Sequence, residues 1–334
     1  WLNLYRKVKE MAVGVSAGYG NLPSGNFQAE IYSQKVLKFF RRASVVEDIT
    51  NTDYAGEIEN FGDTVRIMKE PTVSISAYTR GAVVTPQDLA DDEIQLTVDQ
   101  AQAFAFKVDD IEERQSHVNF EALATSSGAF SLKRNYDKNV LQAMIDGAGI
   151  KGASGSVETD SNLGTSGTPH TMAGSDAGDE AVQIIALMAR HLDQADVPEE
   201  NRWFVAPPRF YETLYKAGAK IAEVQVTGDA QSPMRNGMLT AQKVMGFTLY
   251  KSNALRQSAD ATTTTDMVSL SGVATGENIV LAGHMSSTAT ANSIAKTEVI
   301  RDPDSFADVV RGLHVYGRKV IRPEGLVLGI VDYA

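Results

Sequence analysis

The chain has 334 residues, 43% of them hydrophobic, which is enough for two or three domains and a sizeable core. Its formal charge of −11 and pI near 5.0 argue against general attraction to nucleic acid, whose phosphates reward Lys and Arg, and leave room only for a local basic face. Without cysteine there are no disulfides or thiolate ligands, which fits a cytoplasmic product or one indifferent to redox state; no apolar run predicts a membrane span and no secretory signal pattern is present.

Residue 1 is Trp, and "MAVGVSAGYGNLPSGNF" from Met11 reads as a natural start. Either the first ten residues precede the usual initiator or something was cleaved upstream of Trp1. From Ala12 to Asn26 the chain is Gly-rich and weakly hydrophobic, so residues 1–27 are expected to form an arm ordered only by partners. Between Gln28 and Val46 the spacing is helical, with Ile31, Val36, Leu37, Phe40 and Val45 near one face. This N-terminal helix region is bounded at 28–56.

"GDTVRIMKEPTVSISAY" (62–78) reads as a strand, a proline and a second strand. The returning strand alternates over more than ten residues: Ile94, Leu96, Val98, Gln100, Gln102, Phe104 and Phe106 share one face. Unbroken, Glu93–Asp109 would span about 55 Å, against a usual strand of about 5–6 residues. Either the strand bends and joins two sheets, or the hairpin leaves the body as an arm over 57–112. Its tip, "AYTRGAVVTPQDLADDE", is polar and punctuated by Gly and Pro, which suits an arm.

A long helix is expected over Val118–Ile145, about 42 Å long. Its stripe is Phe120, Leu123, Ala124, Phe130, Leu141, Met144 and Ile145, with Arg134, Asp137 and Lys138 outside. Residues 147–178, rich in Gly, Ser and Thr, read as a loop or linker. "DEAVQIIALMARHL" is amphipathic, with Ala181, Ile184, Ile185, Met188 and Leu192 on one face. "RWFVAPP" (202–208) reads as a short buried strand, followed by a helix that Pro208 opens and Gly218 closes. "AEVQVTGDAQSPMRNGML" and "DATTTTDMVSLSGVATGE" are polar excursions around a strand at 246–255. The end reads as two or three strands with turns at Gly317 and at Pro323-Glu324-Gly325. No internal repeat is visible.

Candidate chemistry is sparse. Gly147-x-Gly149-x-x-Gly152 follows a helix rather than a strand, the wrong context for dinucleotide phosphates. No P-loop, nucleophile elbow or H-E-x-x-H occurs, and His117, His170, His191, His284 and His314 are scattered. The acidic runs at 91–93 and 109–113, and "RDPDS" (301–305), read as solvated turns, with a weak divalent-ion option. "FFRRAS" (39–44) and Lys133-Arg134 are small basic spots, suited to solvated helix faces, inter-subunit pairing or a phosphate-facing role.

The order of these pieces resembles the major capsid (coat) proteins of tailed bacteriophages, with the α+β Hong Kong 97-like fold, over essentially the whole chain from Met11. "ENFGDTVRIMKEP", "RWFVAPPRFYETL", "MRNGMLTAQKVMGFTLYKSNAL" and "IRDPDSFADVVRGLHVYGRKVIRPEGLVLGIV" carry the resemblance. It implies an N-terminal arm, an extended hairpin loop lying across a neighbouring subunit, a peripheral domain (113–175) holding the long spine helix and linker, an axial domain (176–285), and peripheral strands over 286–334. Inter-subunit contacts are expected at Arg66, Lys69, Tyr78, Arg80, Phe104 and Phe106. The chain would assemble with itself as pentamers and hexamers into an icosahedral shell around double-stranded DNA, touched only loosely. Scaffolding, portal and cement proteins are the further partners, with no membrane, no cofactor, no metal and no enzymatic activity. Assembly would take place in the bacterial cytoplasm and the protein would reside in the virion capsid. Noncovalent assembly is expected, although Lys69 on the arm raises the question of the Lys–Asn crosslink some members form. The rival readings are an encapsulin-like nanocompartment shell, an α/β enzyme with a hairpin lid, and a tail or decoration protein.

Overall fold

In chain order the elements are α1 (Val46–Ile49), β1 (Thr64–Met68), β2 (Glu93–Thr97), β3 (Gln100–Asp109), α2 (Phe120–Gly147), β4 (Ile150–Lys151), β5 (Glu158–Thr159), β6 (His170–Thr171), α3 (Ala177–Gln194), β7 (Arg202–Ala206), α4 (Pro208–Leu214), β8 (Thr248–Lys251), β9 (Glu277–His284), β10 (Thr288–Arg301), β11 (Ala307–Val320) and β12 (Leu326–Asp332). They come from a computed structural model that describes residues 44–54, 64–71, 73–75, 77–81, 83, 86–87, 93–110, 120–152, 155, 157–173, 177–214, 244–255 and 277–333. The expected arm at 1–27, the helical stripe from Ile31 to Phe40, the Gly218 stop, the whole of the first polar excursion and all but Glu277 of the second lie outside the described residues.

A seven-stranded sheet in the order β5-β4-β12-β9-β7-β8, with β6 also paired to β12, forms the centre. It is mixed: β9 runs antiparallel to β7 and β12, whereas β7–β8 and β12–β4 are parallel. Helices cover both faces, so its strands read as continuous apolar runs rather than alternating ones. The alternation persists in three dimensions. Phe204, Val280 and Val327 point to a core with Ile184, Ile185, Met188 of α3 and Phe210 of α4. Trp203, Val205, Ile279, Leu281, Leu326 and Leu328 point to the opposite core, filled by Val46 and Ile49 of α1 and Val140, Leu141, Met144 and Ile145 of α2.

Only the C-terminal half of α2 belongs to that core. Leu123, Ala124 and Phe130, on the expected stripe, are half-buried. The N-terminal half passes over a second sheet, β10-β11-β3, where the Phe104 ring lies between helix and strand. A Cβ at Gly128 would come within 2.8 Å of that ring, and one at Gly312, its cross-strand partner, would collide with it as well. Asp137, expected outside, is instead buried and accepts a hydrogen bond from Ser44 Oγ at 2.5 Å.

The returning strand bends and joins two sheets, the first of the two readings of its length. β2 pairs with β1 in a two-stranded ladder, Thr64 opposite Thr97 through Met68 opposite Glu93. After Val98 and Asp99 the chain enters β3 and pairs with β11 instead. The parity of the side chains survives the bend: Ile94, Leu96, Val98, Gln102, Phe104 and Phe106 are all more buried than their odd-numbered neighbours. Leu96 and Val98 pack with Ala289, Ala291 and Val315, and Val65 and Ile67 add to this small third core.

Two further expectations are corrected. The 147–178 stretch is not a bare linker, because β4, β5 and β6 each take up a place in the central sheet and Leu163 is buried. Gly317 lies inside β11 rather than at a turn, where a Cβ would sit 2.7 Å from the Thr97 carbonyl oxygen. Among the described residues, no helix is long and apolar enough to cross a membrane.

Candidate subunit-contact surfaces

Along the loop that leaves β1, every described residue from Met68 to Gln87 is exposed. Its apolar side chains are as open as the polar ones: Ile75 is 98% exposed, Val83 91% and Met68 75%, with Val73 and Tyr78 also exposed. The two sides of this loop are joined by Gln87, whose Oε1 accepts from both Ser74 N (3.0 Å) and Ser74 Oγ (2.9 Å). Arg80 and Gly81 form a turn, and Gly81 holds a positive φ of 88°, which glycine adopts without steric penalty.

The six expected contact residues fall into two groups. Lys69, Tyr78 and Arg80 are exposed on the loop, and Arg66 at its root is exposed while pairing with Glu93 across the β1–β2 ladder at 3.4 Å. Phe104 and Phe106 are half-buried within their own chain, stacked 6.1 Å apart and nearly parallel.

A second exposed feature, which residue pattern alone did not single out as a contact, is the turn between β10 and β11. Arg301 forks onto Asp110, Nη1 to Oδ1 at 2.7 Å and Nη2 to Oδ2 at 2.5 Å, and Nη1 reaches Asp308 at 3.1 Å. Asp302 accepts from Lys107 and from Ser305 Oγ, and its other oxygen lies 3.2 Å from the Asp304 amide. The hydrogen bonds from Asp110 and then Asp308 push Arg301 above its ordinary value, while those from Lys107, Ser305 and the Asp304 amide hold Asp302 down to about 2. This network ties together an acidic turn that displays Phe306 at 81% exposure. The signal in the sequence is a lone aromatic in a polar, proline-bearing turn. Among the described residues no three His, Asp or Glu side chains group as metal ligands, at this turn or elsewhere.

Two histidines are engaged in packing. A groove of about 260 Å³ between α2 and the β10-β11-β3 sheet is lined by Phe104, Leu132, Tyr136, Asn292 and His314. Burial lowers the His314 pKa, and its ring packs against Tyr136 (5.4 Å) and Tyr316 (5.0 Å). His191 is buried with Nδ1 2.9 Å from Glu158 and Nε2 2.9 Å from Asp160, which fastens α3 to the β5 edge. Both ring nitrogens are occupied by carboxylates of the same fold, the arrangement of a structural tie rather than of a proton shuttle.

No protein-family model matches the chain, and no curated protein does. Solved structures do. A structure from Mycobacterium phage Che8 is 26% identical, with 92% of this chain and 97% of that one aligned at a TM-score of 0.72. The capsid structure of cyanophage P-SCSP1u is 17% identical over 94% and 96% of the two chains, with a TM-score of 0.68. The mature capsid of bacteriophage PhiM1 is 16% identical over 92% of each chain, with a TM-score of 0.66. All three likenesses run over nearly the full length of both chains, so the fold is shared as a whole and not as one common core.

Proposed function

We infer that this chain is a major capsid protein of a tailed bacteriophage, with the Hong Kong 97-like fold, which self-assembles into an icosahedral shell and resides in the virion capsid. The observation that carries the reading is the loop after β1, joined to a full-length fold likeness at 26% identity. Its exposed apolar side chains enter no core among the described residues, unlike the β1–β2 ladder at its root, whose Val65, Ile67 and Leu96 pack in the small third core. Laid on a neighbour, the loop gains about 25 cal/mol for each Å² of apolar surface removed from solvent. Repeated around closed symmetry, many such contacts hold a shell without any single strong bond.

The finer layout follows from the same reading. Residues 113–175 and 286–334 form the peripheral domain, with α2 as its spine, and 176–285 the axial domain at the centre of pentamers and hexamers. Arg66, Lys69, Tyr78 and Arg80 contribute to subunit contacts, and assembly is noncovalent. The shell encloses double-stranded DNA that an acidic chain of −11 touches only loosely, and it is built in the host cytoplasm with scaffolding, portal and cement partners. The role is structural and not catalytic. A nanocompartment shell shares the architecture but holds protein cargo; the phage capsids among the structural neighbours favour the genome-bearing shell.

The test is negative-stain microscopy of particles purified from infected cells, followed by nuclease treatment. Closed shells protecting double-stranded DNA are expected. Shells that hold a co-purifying enzyme and no DNA would shift the assignment to a nanocompartment, and a monomer under every assembly condition would overturn it.

A further inference from the structure

β9 of the central sheet passes into β10 of the second sheet through one helical turn, Met285–Ser287, and β11 returns to β12 through another, Pro323–Gly325. The two turns are clasped at Ser287. Its carbonyl accepts from the Ile321 amide at 2.8 Å and from the Arg322 amide at 3.1 Å, and its buried hydroxyl donates to the Gly325 carbonyl at 3.0 Å. A Cβ at Gly325 would stand 2.2 Å from that hydroxyl oxygen, so the close approach requires glycine. His284 holds the first turn in place. Its Nδ1 accepts from the Ser286 amide at 3.1 Å, which caps the turn, and lies 2.8 Å from Ser286 Oγ. The charged side chains that face the ring are cations: Arg202, its cross-strand partner on β7, and Arg322 at the entry to the second turn. A hydrogen bond to the Glu200 backbone opposes them. Arg202 cannot swing away. It is buried, and its guanidinium donates to the Pro198 carbonyl at 2.9 Å, to Asp193 Oδ1 at 2.7 Å and to the Val197 carbonyl.

We propose that His284 is an acid-sensitive latch on the junction between the two sheets, closed while its ring is neutral and released when the ring takes a proton. A proton on Nδ1 occupies the lone pair that the Ser286 amide uses. The Ser286 hydroxyl can reverse its role, but the amide cannot, so the cap is lost. The imidazolium also meets two cations, one of them held in place. Ser287 is the next residue of the turn, so release loosens the clasp on both strand crossings at once. Burial, and after it Arg202 and Arg322, hold the His284 pKa below its ordinary value. The latch is therefore fully closed above the ordinary histidine value of about 6.5 and weakens as pH falls below it. This property belongs to the single subunit and does not depend on the capsid reading.

Hydrogen exchange read by mass spectrometry on the full, unassembled chain tests it, at about pH 7.5 and about pH 5, with each rate divided by the intrinsic rate at that pH. Peptides that contain the Ser286 amide and the Ile321 and Arg322 amides should lose protection at least about tenfold in acid, while a peptide across β7 stays within about twofold. His284→Asn keeps an oxygen that accepts from the Ser286 amide and cannot take a proton. Its junction peptides should hold their protection at the lower pH to within about twofold. Arg322→Gln leaves the cap intact and removes one cation, so it should reduce the acid loss to about threefold or less. An original chain whose junction stays protected in acid would overturn the latch. So would a junction that opens in acid as much in His284→Asn as in the original, or one that opens only together with β7.

Discussion

In β7 all five side chains are buried, whereas in the loop after β1 every described side chain is exposed, including isoleucine and valine. Both regions carry apolar side chains. They differ in where the covering surface comes from. The central sheet finds it within the chain, α3 and α4 on one face and α1 and α2 on the other. The described residues of the loop and of the Phe306 turn have no such cover, and on the proposed capsid reading a second molecule supplies it. One molecule therefore holds a self-sufficient body and an incomplete periphery, and lesions in the two should have different consequences.

The largest effect is expected in the body. Phe204→Ala empties a site walled by Phe210 and Phe247 and should cost about 3–5 kcal/mol in chemical denaturation, taking folding and assembly down together. Deleting Pro71–Asp91 should do the reverse: the denaturation midpoint stays where it was, and microscopy finds no regular shells. Normal particles from that deletion would break the comparison. A smaller effect is predicted at the groove. Burial holds His314 below its ordinary value, so the unfolded chain binds its proton more readily than the folded one. Stability should be full above the ordinary histidine value and decline as pH falls below it, and His314→Phe should flatten that acid-side slope in pH-resolved thermal melts. The smallest effect belongs to a single rim pair. Arg66→Ala removes the exposed bridge to Glu93 and should change subunit stability by about 0.5 kcal/mol or less in a denaturant titration.

What was legible in the sequence follows the same division. The buried strand at Arg202–Ala206, the amphipathic face of α3, the length of α2 and the parity from Ile94 to Phe106 could all be read, because each is a local period that packing preserves. The bend at Val98-Asp99 was only one of two options, since nothing local tells a strand which partner it will leave. The short strands β4, β5 and β6 were hidden in a Gly- and Ser-rich stretch: two residues carry no period, and their place is fixed by β12 and its neighbours. Asp137 looked solvent-facing by helical position, and its burial comes from tertiary packing that includes the hydrogen bond from Ser44. At the periphery the polar, Gly- and Pro-marked tip offered an arm as the other reading of the long strand. The stretch at 301–305 read only as a solvated turn with a weak divalent-ion option, because its ion network joins residues from Lys107 to Asp308 that are far apart in the chain.

The most direct measurement is an electron cryo-microscopy map of the assembled particle at side-chain resolution, traced through residues 69–83. The account predicts that Ile75, Tyr78 and Val83 lie against a different subunit from the one whose β1 they follow. A loop folded back on its own sheet, or left open to solvent within a closed shell, would contradict it.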